Sequence, residues 1–244
     1  MPDQYPLLFS PVEIGPVTLE NRVYHAPITT NFIDRETGFP SEAMVDYYAE
    51  RAKGGVGLII QGAADVAPAS DFWPVPHTRM DDEAIVPVLR RIVDRVHDHG
   101  ARIFLEIFHI GQASNTRRHG GPAVAPSAIP SLVAGTTPKV MEHEDIEAAV
   151  LSFARATAHA AAAGYDGIEL HVTHGYLLEQ FLSPFFNKRS DEYGGTLENR
   201  MRFLLQVVDR CRDAAGRQVA LGLRLVGDEL LPGGLTLDDT TEIA

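Results

Sequence analysis

Five short apolar runs, alternating with segments of helical periodicity, constrain this chain more than any other feature of its 244 residues. The runs cover residues 23–26, 57–61, 101–108, 167–171 and 219–225. Each is strand-length and shows little polar alternation, as expected of strands covered on both faces. A helix is expected over residues 41–53, with Ser41 as N-cap and Gly54-Gly55 as its stop. Ile85, Leu89, Ile92, Val93 and Val96 mark a second, with Pro87 tolerated in its first turn. Residues 145–163 form a third, closed by Gly164; Leu204, Val207, Val208 and Cys211 mark a fourth, and residues 236–244 open a fifth. A hairpin turning at Gly15-Pro16 precedes the first strand.

Strands alternating with helices imply parallel pairing through right-handed crossovers, hence an α/β fold. No Gly-x-Gly-x-x-Gly turn follows any strand, and polar residues gather just after strand ends, where barrel active sites lie. The expected fold is therefore a (β/α)8 TIM barrel, of which this chain supplies about the first five β/α units. Residues 111–142, rich in Pro, Gly, Ala and Ser, read as a functional strand-to-helix loop. The formal charge of −12 disfavours nucleic-acid binding, which needs clustered Lys and Arg. A single cysteine, Cys211, leaves no disulfide and no cluster for zinc or iron–sulfur, and fits a reducing cytoplasm. No run is long and apolar enough to span a membrane. Small molecules are the expected partners.

The densest chemistry lies in Gly167-Ile168-Glu169-Leu170-His171-Val172-Thr173-His174-Gly175-Tyr176. A strand ending at His171 delivers that imidazole to the catalytic face of a barrel, with His174 and Tyr176 in the loop above. Two imidazoles can donate to one carbonyl oxygen, and a nearby phenol can protonate a developing carbanion. The alternatives are a packed histidine with incidental loop residues, or a His-x-x-His metal site. No acidic or Cys ligand stands at a familiar zinc spacing, so no metal is expected. Two further residues stand out because acids and bases are rarely buried alone: Glu106 within an apolar strand and Arg224 within another.

The run from His171 through Leu177-Leu178-Glu179-Gln180-Phe181-Leu182-Ser183-Pro184 continues into Asn187-Lys188-Arg189-Ser190-Asp191-Glu192-Tyr193-Gly194-Gly195-Thr196-Leu197-Glu198-Asn199-Arg200. With Leu8-Phe9-Ser10-Pro11, Leu19-Glu20-Asn21-Arg22-Val23 and Phe108-His109-Ile110-Gly111-Gln112, it resembles the Old Yellow Enzyme family of FMN-dependent oxidoreductases. The likeness is strongest to the 2,4-dienoyl-CoA reductase and trimethylamine dehydrogenase branch. The resemblance implies FMN as cofactor, NADH or NADPH as reductant, and hydride transfer from flavin N5 to an activated alkene. It implies that His171 and His174 bind the substrate's electron-withdrawing group and that Tyr176 donates the proton. Ala26, Pro27, Ile28 and Thr29 match the segment lining the flavin ring, and Ala63 a small residue beside the flavin carbonyl. The neighbouring Gly62 departs from the Glu often found in the family. Glu106 matches a residue pairing with the pyrimidine edge, and Arg224 a cation beside N1. A structural Glu106–Arg224 ion pair on the barrel floor is the competing reading.

On the same resemblance, residues 1–244 are the N-terminal portion of one FMN-binding barrel domain, with the phosphate loops after the seventh and eighth strands lying beyond Ala244. An amine dehydrogenase or demethylase of the same family, and a non-catalytic fragment lacking the phosphate site, are the alternative functions. A homo-oligomer is compatible with all of these. Asp94, Arg95, His97, Asp98 and His99 read as a solvated helix face, and Trp73 as a residue of a loop over the site.

Overall fold

The computed structural model describes residues 4–67, 77–114, 122–131 and 133–244. Trp73 and part of the loop that follows the third strand lie outside the described residues. The predicted hairpin forms from β1 (Val12–Ile14) and β2 (Val17–Leu19), paired antiparallel across a Gly15 with φ of 57°. The five parallel strands are β3 (Tyr24–His25), β4 (Leu58–Asp65), β6 (Arg102–Phe108), β9 (Gly167–Val172) and β10 (Ala220–Leu225). Their order in the sheet is their order in the chain, with a two-residue strand, β5 (Thr78–Arg79), added beside the end of β4. Such an order repeats one crossover direction, placing every connecting helix on one side and leaving the other as a concave inner face. A doubly wound open sheet would reverse direction partway. The sheet is thus part of a barrel.

The helices are α1 (Glu42–Lys53), α2 (Val86–His97), α3 (His143–Ala163), α4 (Leu177–Leu182), α5 (Leu197–Ala215) and α6 (Leu237–Ile243). Between β6 and α3 the short strands β7 (Val124–Ala125) and β8 (Lys139–Val140) pair with one another. The main core lies between the outer sheet face and the helices, where Ile59, Ile103, Leu105, Ile168 and Leu170 meet Leu89, Ile92, Val93, Phe153 and Val207. A second cluster fills the base of the inner face: Leu58, Ile60, Phe104 and Ala220 pack against Val17 and Leu19. The hairpin therefore closes the floor of the barrel with apolar side chains.

The inner face follows the two-residue period of each strand. Parallel register aligns Phe104 with Gly167 and Gly167 with Ala220, then Glu106 with Glu169 and Glu169 with Gly222, then His171 with Arg224. Apolar side chains thus occupy the floor, and charged or polar ones the layers above. Gly167 is dictated by this packing, because a Cβ there would lie 2.6 Å from the Phe104 ring.

Four local expectations change. Strand β4 runs on to Asp65 through a bulge: Gln61 pairs with Leu105 and Ala64 with Ile107, so Gly62 and Ala63 together oppose Glu106. Ser41 occupies the N-cap of α1 but its hydroxyl donates to Phe32 O at 2.9 Å instead of serving the helix. The charged end of α2 is only partly solvated: His97 Nε2 lies 2.8 Å from Asp166, which also accepts from the Ile103 amide at 2.8 Å. Helix α4, absent from the sequence reading, has six residues that are all buried, so no polar face reveals its period.

Gly167→Ala is expected to cost about 1–3 kcal/mol through overpacking against Phe104. Gly222→Ala, with nothing within 4 Å of the added methyl, is expected to stay within about 0.5 kcal/mol of the wild type. Urea unfolding of both variants checks this. Equal losses would contradict the layered packing.

Candidate active site

The C-terminal ends of the strands surround a cleft of about 150 Å³ lined by Pro27, Ile28, Thr29, Ala63, His77, Glu106, Phe108, His171, His174, Tyr176 and Arg224. All but one of the residues singled out from the sequence meet here. Ala26, which precedes Pro27, is not among the lining residues, and His77 and Phe108 join from outside the prediction. Phe108 is the next inward residue after Glu106 on β6. His77 adjoins β5, too short a strand to announce itself by pattern.

One wall is made by the segment after β3. Thr29 pairs with Gly62 in a parallel bridge, and a Cβ on Gly62 would lie 2.5 Å from Pro27 Cβ and 2.8 Å from the Ile28 amide nitrogen. That contact explains why glycine stands at this position. The bulge thus brings two backbones together and leaves small residues beside Glu106.

The electrostatic centre is one guanidinium between two carboxylates. Arg224 Nε donates to Glu169 Oε1 at 2.9 Å and lies 3.2 Å from Glu106 Oε2. The ion pair weighed from the sequence is real, but it stands in the layers beside the cleft, not on the floor, and includes Glu169 as a third member. Burial, reinforced by the charge of Glu169, pushes the Glu106 carboxyl up to about 8. Arg224 is raised: burial opposes its charge, and the hydrogen bond and charge of Glu169 more than offset that.

Above the two carboxylates, His174 Nδ1 faces His171 Nε2 at 3.1 Å, and the His171 and Tyr176 ring centroids are 4.9 Å apart. His171 is held to about 3 by burial, then by His174, and His174 is also lowered by burial. Both rings are therefore neutral at pH 7. Two facing nitrogens share at most one proton in this arrangement, so both imidazoles can donate to one ligand oxygen only when it takes the place of their mutual contact. Burial, with the Glu106 and Asp65 charges, raises Tyr176, which keeps its phenolic proton through neutral pH.

The loop is held by residues just downstream. His174 and Gly175 have φ of 61° and 72°, a left-handed pair that directs the chain sharply into α4. The Gly175 amide donates to Glu179, Gln180 Nε2 donates to Gly175 O at 2.6 Å, and the Leu177 amide donates to His109 O at 3.0 Å. Asn187 Nδ2 donates to Phe181 O and Tyr193 O at 2.6 and 2.7 Å, fastening the far end of α4 to the turn before α5. The long motif after Tyr176 is thus mainly a scaffold for the loop.

The residues present fit a flavin ring. Glu106 Oε2 is buried without a hydrogen-bond partner among the described residues, despite the nearby Arg224, and so offers an unused polar atom at the cleft. Among the described residues no group of His, Cys, Asp and Glu is arranged to hold a metal ion, and no helix is long and apolar enough to cross a membrane.

The model of the NADH:flavin oxidoreductase / NADH oxidase family matches residues 7–244, and the chain belongs to that family. It is 39% identical over 230 residues to a metal reductase of Desulforamulus reducens, covering 94% of this chain and 34% of that protein. Among solved structures, a 2-naphthoyl-CoA reductase in complex with 2-naphthoyl-CoA superposes with a TM-score of 0.92 at 29% identity, over 98% of this chain and 38% of that one. Old Yellow Enzyme from Pichia sp. AKU4542 gives 0.85 at 31% identity, over 95% and 62%. The chain thus spans about a third of the length of the metal reductase. FMN is the cofactor of this family, with NADH or NADPH as its reductant.

The two low imidazole values oppose stability on the acid side, where Glu106 and Glu179, raised by burial to about 8, favour it. Below pH 6.5 the unfolded chain protonates His171 and His109, whereas the folded one keeps them neutral to about 3 and about 4 because both are buried. Their contribution is complete above pH 6.5 and is lost as pH falls toward those values. His171→Asn is expected to make the change in urea-unfolding free energy from pH 6.5 to pH 4 less negative than in the wild type. An unchanged slope would contradict the assignment.

Proposed function

We propose that this chain carries the ring-binding and substrate-binding part of an FMN-dependent ene-reductase, within a single barrel domain whose phosphate-binding loops lie outside residues 1–244. The observation that carries the reading is the convergence of His171, His174 and Tyr176 with Glu106 and Arg224 on one cleft. Ala26, Pro27, Ile28, Thr29 and Ala63 would line or support one side of the ring, and Glu106 and Arg224 would hold its pyrimidine edge. When bound, FMN would supply two-electron hydride chemistry between NADH or NADPH and the β carbon of an activated alkene.

The chain's own residues do the rest. His171 and His174 turn their ring N–H groups to the carbonyl oxygen of an enone or enoyl thioester, stabilising the charge that develops there. Neutral imidazoles suit this role, since burial disfavours a charged ring while leaving its N–H a good donor. Tyr176 delivers its proton to the α carbon, and its raised affinity for that proton keeps the phenol loaded at neutral pH. Phe108, whose ring centroid lies 5.1 Å from that of Tyr176, screens the position from water. The name of 2-naphthoyl-CoA reductase, a structural neighbour, is consistent with an acyl thioester substrate class.

The test is a two-half-reaction measurement on FMN-loaded protein. NADH or NADPH is expected to bleach the flavin, and an enone to restore its colour. Tyr176→Phe is expected to slow the second half-reaction about 10²-fold or more while leaving the first intact. Reduction by a methylated amine with no reoxidation by any enone would overturn the reading in favour of an amine dehydrogenase. Absence of saturable FMN binding would leave the non-catalytic fragment.

A further inference from the structure

Glu169 is a half-buried carboxylate that the proposed reaction does not use. It faces inward one layer below His171, aligned in register with Glu106 on one side and with Gly222 on the other. Gly222 carries no side chain, so nothing on that strand stands between Glu169 and the arginine one layer above. Glu169 does not line the cleft, whereas Arg224 does.

The geometry of the contact is asymmetric. Glu169 Oε1 takes the Nε–H of Arg224 at 2.9 Å, and Glu106 Oε2 lies 3.2 Å from the same nitrogen. The two terminal nitrogens of Arg224 make no hydrogen bond among the described residues. A guanidinium has five N–H donors in a fixed plane, so gripping it at Nε fixes the direction of the remaining four. The carboxylate is 14% exposed at its side chain and the arginine 28%, so a charge-assisted bond here is little screened by solvent.

We propose that Glu169 is a positioning residue for the flavin site, holding Arg224 by its Nε edge so that the terminal N–H groups present their charge to the reduced ring. The proposal rests on the flavin reading above. Without Glu169, Glu106 becomes the only carboxylate beside the guanidinium, and the terminal N–H groups turn to pair with it in place of the ring. The raised affinity of Glu106 for a proton comes first from burial and then from Glu169, and the second part agrees with this picture, because one cation cannot neutralise two neighbouring carboxylates.

The sign of the effect separates positioning from simple charge. Deleting a carboxylate that acted only through its charge would favour the anionic reduced ring. Deleting one that aims Arg224 disfavours it. In FMN-loaded protein, the affinity for reduced relative to oxidised FMN is read from the flavin midpoint potential by dye equilibration. Glu169→Ala is expected to lower that ratio about tenfold, a negative shift of about 30 mV for a two-electron couple. Glu169→Gln, which keeps an acceptor for Nε–H, is expected to restore the ratio to the wild-type value or above. In an Arg224→Met background, Glu169→Ala is expected to change it less than about twofold, since the residue it acts through is gone. Should Glu169→Ala not accumulate as folded protein, Glu169→Ser, too short to reach Nε from the same backbone position, is read in the same way. An unchanged ratio, a positive shift, or the same negative shift with Arg224→Met would overturn the proposal alone. Failure of the wild-type protein to bind FMN would overturn the flavin reading and this proposal together.

Discussion

The site depends on one guanidinium placed between two carboxylates at the inner face of a parallel sheet. Burying any of the three alone would cost several kcal/mol, and the mutual attraction repays this only when the partners are held at contact distance. Parallel register does the holding: Glu106 and Glu169 are direct neighbours on β6 and β9, and Arg224 stands one layer higher on β10. Because the inward positions recur every second residue, the same register that buries Phe104 and Ala220 at the floor fixes the charged layers above them. A one-residue slip of β9 would send Glu169 and His171 into the apolar helix layer and bring Ile168 and Leu170 into the cleft.

Burial of Glu106, with the charge of Glu169 beside it, gives the cleft its chemical character. With two carboxyls and one cation, the cluster holds a proton on Glu106 more readily than an ordinary carboxyl does. A protonated Glu106 can donate as well as accept, which suits the mixed donor and acceptor edge of a flavin pyrimidine. The histidines are kept neutral by burial, so His171, level with Arg224 in the register, and His174 offer donors without adding positive charge of their own. Polar groups thus stand above an apolar floor: the two carboxyls first, then Arg224 and His171 level with one another, with His174 and Tyr176 in the loop beyond.

Much of this was legible from the residues. The five strands and their connecting helices follow from apolar runs and helical periods, and Glu106 and Arg224 stand out because a charge within an apolar strand needs a partner. Glu169 shares the parity of His171 and could have been read as inward-facing, but nothing in one strand says which neighbour it meets; that is a property of register. The bulge at Gly62 and Ala63 was illegible for the same reason, since it exists only as a mismatch between two strands. The buried helix α4 hid because every residue in it is covered. His97 was misread because its partner, Asp166, lies 69 residues away at the base of β9.

The central claim is that the charged cluster is built to meet a flavin ring. A crystal structure of the FMN complex tests it most directly. The account predicts the ring against Pro27, Ile28 and Thr29, with Glu106 and the terminal nitrogens of Arg224 within hydrogen-bond distance of its pyrimidine edge and Glu169 still bound to Nε. A ring seated elsewhere, or one that leaves Glu106 and Arg224 bonded only to each other, would contradict it.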